Sequence, residues 1–245
     1  MDHCSHQINE MQKAPTLLEK SLAWSVHMFT SSGLLCGFMA ILAINRSDWA
    51  EAMWWLLASL VIDGIDGTFA RLFRVQEVLP YMNGKTIDYV IDFATYAIIP
   101  AYFFYQAQLV PDDWRLPCTF AILLSSALYY GKEGMVSDDM YFVGFPVMWN
   151  MVVFYQVFVV QIPPMGHVAA VFFFAALHFI PIKFVYPSQA SRYRAFTLGL
   201  TIVFLLTLPL ILYLYPKRSP WLTGLAVFNG AAYGLLAVYN TYIEK

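Results

Sequence analysis

The sequence predicts an all-α integral membrane protein with about eight transmembrane helices, and three observations support this fold class. Of the 245 residues, 60% are hydrophobic and only 12% are charged, about half the charged fraction of an ordinary soluble domain. The apolar residues form long runs without strict alternation, which favours helices over a β-barrel. Tyr and Trp cluster near the ends of these runs, as side chains at a membrane interface do.

The apolar runs set the predicted order of elements, since a helix needs roughly 20 apolar residues to cross a bilayer. The predicted spans are residues 24–44, 49–70, 87–107, 116–130, 141–161, 166–184, 196–215 and 220–240. Ahead of the first span, residues 14–29 predict a short amphipathic helix at the membrane interface. We expect one domain over residues 1–245, in which residues 1–23 form a cytoplasmic tail and this interfacial helix.

The basic residues predict the orientation. Ten of the 14 Lys and Arg residues fall on the side of the N-terminus. The opposite side holds Arg46, Arg115, Lys217 and Arg218. The positive-inside rule therefore places both termini in the cytoplasm, in agreement with an even number of spans. The net charge of −2 provides no basic surface for a nucleic-acid partner.

Four aspartates lie near the cytoplasmic ends of the second and third spans. Asp63 and Asp66 are three residues apart, and Asp88 and Asp92 are four apart, so each pair shares one face of its helix. Because the two helices are consecutive and antiparallel, the pairs are expected to face each other at one depth. An aspartate in the membrane costs on the order of 3 kcal/mol, and neighbouring carboxylates repel each other. We therefore expect these aspartates to have a function.

The surrounding residues point to a metal site that binds phosphate. Carboxylates without His or Cys nearby favour Mg²⁺ or Mn²⁺, and four of them suit two ions about 4 Å apart. Gly64, Gly67 and Gly84 leave helix surfaces without side chains, so a polar group can approach the backbone. Arg71 is placed to bind a phosphate. Taken singly, each glycine also suits helix packing, and Arg71 also suits an interfacial position.

These residues resemble a known family. The spacing Asp63-x-x-Asp66-Gly67-x-x-Ala70-Arg71, followed by Gly84-x-x-x-Asp88-x-x-x-Asp92, is similar to the signature of the CDP-alcohol phosphotransferases. The resemblance implies a membrane enzyme that joins an alcohol to the phosphate of a CDP-linked donor and releases CMP. It implies that the metal ligands are Asp63, Asp66, Asp88 and Asp92, with Asp92 also the catalytic base. The implied nucleotide contacts are Asp66, Gly67, Ala70, Arg71 and Gly84.

One departure from the family pattern narrows the expected substrate. Residues 72–83 place twelve residues between the arginine and the next glycine, more than in most of the family. This insert, the chain length and the eight spans resemble the bacterial members that transfer the phosphatidyl group from CDP-diacylglycerol to choline. Residues 137–150 are similar to a stretch of the same members. The resemblance implies an enzyme of the bacterial inner membrane with a cytoplasmic active site, leans toward Mn²⁺ over Mg²⁺, and fits a homodimer.

Two further groups of residues are candidates for substrate contacts. The lipid-phosphate candidates are Lys183, Arg192 and Arg194, which equally suit plain positive-inside charge. Choline carries a quaternary ammonium, which aromatic faces hold well, and a carboxylate can assist. The candidates for this choline cage are Glu133, Asp139, Tyr141, Trp149 and Tyr186. Each of these aromatics also suits an interfacial or packing role.

Other functions stay open at this point. The same chemistry accommodates serine, inositol or glycerol phosphate as the acceptor, although a phosphorylated acceptor calls for more basic residues near the site. A cholinephosphotransferase would instead use CDP-choline and diacylglycerol. A cation-coupled transporter would also contain intramembrane carboxylates, but here they lie at one end of two helices and no paired broken helices are evident. Aspartate-rich prenyltransferases lack the Asp-Gly-x-x-Ala-Arg element.

Overall fold

A computed structural model describes residues 14–137, 141–185 and 194–243. Within these ranges the chain forms nine helices and two short strands. The helices are α1 (Leu17–Asn45), α2 (Trp49–Leu72), α3 (Val75–Val78), α4 (Gly84–Gln106), α5 (Asp112–Tyr130), α6 (Trp149–Val159), α7 (Pro164–Leu177), α8 (Arg194–Leu214) and α9 (Pro220–Tyr242). The strands are β1 (Tyr141–Val143) and β2 (Lys183–Val185). Helices α4 and α6 include π-helical stretches, at Phe93–Ile98 and Tyr155–Val159.

The helices make this an all-α, multi-pass membrane protein. Among the described residues, α1, α2, α4, α8 and α9 are long and apolar enough to cross a membrane. Helix α5 has 19 residues, and α6 and α7 are shorter apolar helices. A helix occupies each of the eight predicted positions, but the number that cross the bilayer stays a prediction.

Polar contacts show that the helices alternate in direction between two ends of the molecule. At one end, the Tyr102 hydroxyl near the end of α4 donates a hydrogen bond to Asn45 at the end of α1. Arg115 in α5 donates to a carbonyl of α4 at 2.8 Å, and Arg218 donates to the carbonyl of Val157 in α6 at 3.2 Å. The end of α2 and the start of α4 therefore share the opposite end, which we call the acid end.

Helix α1 holds α2 and α4 in position. It packs against both, and two glycines allow the close approach. A Cβ atom on Gly33 would lie 3.2 Å from Ile91 of α4 and 3.3 Å from the Ser59 hydroxyl of α2. A Cβ atom on Gly37 would lie 2.6 Å from Ile99 of α4. Small residues at such positions let membrane helices pack closely, so α1 sets the separation of α2 and α4 at the acid end.

The N-terminal segment differs from the prediction. Helix α1 continues without a break from Leu17 to Asn45, so the short helix predicted ahead of the first span forms the start of α1, and its position at the membrane interface stays a prediction. Thr16 starts α1 with a capping box, in which its hydroxyl accepts from Glu19 N–H at 3.2 Å and its own N–H donates to the Glu19 carboxylate at 2.7 Å. Pro15 precedes this cap and no proline follows within α1, so nothing separates an interfacial part from a spanning part.

The predicted spans 141–161 and 166–184 are longer than the helices found there. Residues 141–143 form β1, which pairs antiparallel with β2 over residues 183–185. Gly144 follows with φ of +92°, and a Cβ atom there would lie 2.1 Å from the carbonyl oxygen of His178. Only glycine fits such a position, so the chain turns here and α6 begins at Trp149. Apart from Lys183, the strand residues are hydrophobic and continue the hydrophobic runs, which explains why the sequence did not indicate strands there.

Candidate active site

Three aspartates meet between α2 and α4 at the acid end. A carboxylate oxygen of each of Asp63, Asp88 and Asp92 lies within 4.8 Å of those of the other two, and we call these residues the acid cluster. The Asp63 and Asp92 carboxyl groups approach within hydrogen-bonding reach. Asp88 and Asp92 share one face of α4 because they are one helical turn apart. All three side chains are partly buried, so the repulsion between their charges is screened less than it would be in water.

Asp66 lies beside the acid cluster but outside it. Its side chain is 8% exposed and adjoins Thr30 of α1. Asp66 lines a cleft with two members of the acid cluster. The cleft residues are Thr30, Gly33, Ser59, Ile62, Asp63, Asp66, Asp88 and Ile91. Helix α1 therefore closes one side of the cleft, a contribution that the aspartate spacing alone did not indicate.

Two glycines of α2, Gly64 and the motif residue Gly67, leave a helix face open. A Cβ atom on Gly64 would meet nothing within 4 Å, and one on Gly67 would meet only the tip of Arg71, at 3.5 Å. Neither glycine is needed for packing between helices in the described part of the chain, in contrast to Gly33. The bare surface next to the acid cluster is therefore available to a bound ligand.

The other motif residues lie at the same end of the molecule. Arg71 is exposed, and its guanidinium donates to the Thr68 hydroxyl at 3.2 Å. Ala70 packs against a small apolar cluster of α1 and α3. A Cβ atom on Gly84 would lie 3.4 Å from the His27 ring of α1. The predicted nucleotide contacts thus lie at one end of the molecule, and Arg71 is accessible to a phosphate.

The acid cluster fits a divalent cation by its donor chemistry. It offers only carboxylate oxygens, which Mg²⁺ and Mn²⁺ prefer. None of the ion pairs between described residues involves these aspartates. Three carboxylates without a cationic partner are costly inside a membrane, and a bound metal ion would offset that cost.

Comparison with known proteins identifies the family. The chain is 39% identical over 208 residues to the phosphatidylcholine synthase of Rhizobium meliloti (strain 1021). The aligned region covers 85% of this chain and 86% of the relative. It is 36% identical over 218 residues to the phosphatidylcholine synthase of Pseudomonas aeruginosa. This alignment covers 89% of this chain and 91% of the relative. The chain belongs to the phosphatidylcholine synthase family. A relative in Borreliella burgdorferi is 35% identical over 182 residues. No protein-family model matches the chain.

The remaining site residues predicted from the sequence are dispersed. Lys183 lies in β2 with its Nζ atom 5.6 Å from the ring centroid of Tyr141 in β1. Glu133 is exposed in the turn after α5. Trp149 is fully buried in the main hydrophobic core and packs edge-on against His178. Asp139, Tyr186 and Arg192 lie outside the described residues, as does the side chain of Arg194. Their assignment to choline or lipid phosphate stays a prediction.

Tyr96 joins the site in this member of the family, although its position in the sequence did not indicate it. Its hydroxyl donates a hydrogen bond to the Asp63 carboxylate at 2.7 Å, and the side chain is 7% exposed. Tyr96 lies in the π-helical stretch of α4, one turn after Asp92, and such stretches often occur at functional sites. A hydrogen bond of this kind orients a carboxylate that binds metal.

We expect Tyr96→Phe to weaken metal binding by about 10-fold or more, because residues that hydrogen-bond to metal ligands typically contribute 10- to 100-fold in affinity or activity. The measurement is the Mn²⁺ concentration that half-saturates the purified protein in detergent. Tyr102→Phe is the matched control, since it removes a hydroxyl from the same helix at the other end of the molecule. Equal metal affinities for the two variants would show that Tyr96 does not contribute to metal binding.

Proposed function

We propose that this chain makes phosphatidylcholine by transferring the phosphatidyl group of CDP-diacylglycerol to choline. The observation that carries the proposal is the acid cluster beside an open helix face, in a chain that is 39% identical over 208 residues to a phosphatidylcholine synthase. In the reaction, the choline oxygen forms a bond to the phosphatidyl phosphorus and the bond from that phosphorus to CMP breaks. The hydroxyl proton of choline passes to a base of the protein.

The aspartates have two roles in this proposal. Asp92 accepts the proton from the choline hydroxyl, because general bases act best when held next to the reacting group. Asp63, Asp66, Asp88 and Asp92 hold two divalent ions, Mn²⁺ or Mg²⁺. When bound, the ions neutralise charge on the phosphates of the donor. The hydrogen bond from Tyr96 keeps Asp63 in one orientation.

The nucleotide half of the donor lies along the open face of α2. The open backbone at Gly67 admits the CMP group, with Asp66, Ala70 and Gly84 at its border. Arg71 binds a phosphate oxygen through its exposed guanidinium. Lys183, Arg192 and Arg194 bind the lipid phosphate, a part of the proposal that rests on their positive charge in the sequence. The acid end faces the cytoplasm of the bacterial inner membrane, a proposal supported by the ten basic residues of 14 on that side.

The test is CMP release by the purified protein in detergent with CDP-diacylglycerol and Mn²⁺. Choline, serine, inositol and glycerol phosphate are supplied one at a time, and CDP-choline with diacylglycerol in a separate reaction. The proposal predicts release with choline only. Release with a different acceptor would show that this acceptor, and not choline, is the substrate. Product from CDP-choline with diacylglycerol would indicate a cholinephosphotransferase. No reaction under any condition would favour the cation-coupled transporter.

A further inference from the structure

The choline site is constrained by the size of choline, an inference that rests on the proposed function. Only two carbons separate the quaternary nitrogen of choline from its hydroxyl. If Asp92 takes the hydroxyl proton, the ammonium must therefore lie close to Asp92. An aromatic group that holds the ammonium has to border the acid cluster, which gives a geometric criterion for the residues involved.

Helix α4 carries aromatic residues directly beside its acids. Tyr89 and Phe93 each follow one of the cluster aspartates by one residue, so an aromatic stripe runs parallel to the acidic stripe of Asp88 and Asp92. The Tyr89 side chain is 49% exposed, and Phe93 is partly buried. The stripe therefore extends from the protein surface to the level of Asp92.

Tyr130 at the end of α5 closes a corner with these two rings. Its ring centroid is 5.7 Å from that of Phe93, with the planes at 88°, and 6.1 Å from that of Tyr89, with the planes at 69°. Tyr130 also lies within electrostatic range of all three aspartates of the acid cluster. Three aromatic rings therefore gather beside the acid cluster, and the faces of such rings attract quaternary ammonium groups.

The aromatic candidates that the sequence suggested meet this criterion less well. Tyr141 already faces the ammonium of Lys183, and a second cation beside it would be repelled. Trp149 is fully buried against His178 in the hydrophobic core, so choline has no access to its ring faces.

We propose that Tyr89, Phe93 and Tyr130 form the binding corner for the trimethylammonium group of choline. The corner places the choline hydroxyl beside Asp92, while the ring faces attract the positive charge. It also gives the enzyme a preference for choline over acceptors without a cation. The three residues determine acceptor specificity and do not take part in proton transfer.

The experiment compares variants that remove a ring with variants that keep it. Tyr89→Leu, Phe93→Leu and Tyr130→Leu are each expected to raise the KM for choline about tenfold, which is within the energy of a cation–π contact. Tyr89→Phe and Tyr130→Phe are expected to stay within about twofold of the wild type, because the aromatic face contributes most of the attraction. The KM for CDP-diacylglycerol is measured for every variant and is expected to change little.

Tyr213→Leu serves as the control, since Tyr213 is exposed on α8 near the end opposite the acids. Thermal unfolding in detergent identifies any variant that fails to fold, and the half-exposed Tyr89 position keeps the test informative in that case. A wild-type enzyme that uses choline while the Tyr89→Leu KM for choline is unchanged would overturn the corner and leave the proposed function intact. A wild-type enzyme that does not use choline would overturn both.

Discussion

Replacing Asp92 by Asn is expected to lower the kcat of CMP release by about 10²- to 10⁴-fold, the usual contribution of a positioned general base. The amide keeps the size of the carboxylate but cannot accept the proton of the choline hydroxyl. It also removes one charge from the acid cluster, in which the oxygens of Asp63, Asp88 and Asp92 lie within 4.8 Å of one another. The measurement is the initial rate of CMP formation at saturating choline and CDP-diacylglycerol.

Asp113→Asn is the matched control for this variant. Asp113 is exposed in the first turn of α5, at the end of the molecule opposite the acids, so its rate is expected to stay within about twofold of the wild type. Thermal unfolding of both variants separates loss of chemistry from loss of fold. If Asp92→Asn kept a tenth or more of the wild-type kcat, Asp92 would not be the general base.

Removing divalent ions is expected to abolish activity and to be reversible. Without a cation the acid cluster carries repelling carboxylates in a poorly solvated site, and the charge on the departing nucleotide has no counterion. After dialysis against EDTA, CMP release is expected to fall to the background rate. Addition of Mn²⁺ or Mg²⁺ is expected to restore the rate, and titration with either ion gives the concentration at which half of the rate returns.

Metal binding can be measured independently of activity by the electron paramagnetic resonance signal of free Mn²⁺. We expect the wild type to bind two ions per chain and Asp88→Asn to bind fewer, or to bind them at least tenfold more weakly. Asp113→Asn is again the control and should bind as the wild type does. Full activity after EDTA treatment, or identical Mn²⁺ binding by Asp88→Asn and the wild type, would contradict a catalytic metal at this position.

The sequence predicted the acidic part of the site because the relevant information is local. Helical periodicity places Asp88 and Asp92 on one face, and two consecutive antiparallel helices bring Asp63 to the same depth. The residues that complete the site come from packing. Tyr96 reaches Asp63 through the π-helical stretch of α4, and Tyr130 depends on where α5 ends. Neither position differs in sequence pattern from the many other tyrosines of the chain.

In the fold, too, some elements follow from the sequence and others depend on packing between distant residues. Long helices such as α2 and α9 follow from composition, since about 20 apolar residues suffice to span a bilayer. The strands β1 and β2 could not be recognised, because each has only three residues and all of them except Lys183 are hydrophobic, so they look like part of the neighbouring hydrophobic runs. Their pairing joins residues about 40 positions apart, Tyr141 with Val185. The requirement for glycine at position 144 comes from the backbone of His178, a distant neighbour in sequence.

The most direct test of the account is the product of the purified chain with CDP-diacylglycerol, choline and Mn²⁺, analysed for lipid and nucleotide together. The account predicts phosphatidylcholine and CMP in equal amounts, with both formed at least about 10²-fold more slowly by Asp92→Asn. CMP without phosphatidylcholine, or phosphatidylcholine formation by Asp92→Asn at a tenth or more of the wild-type rate, would contradict it.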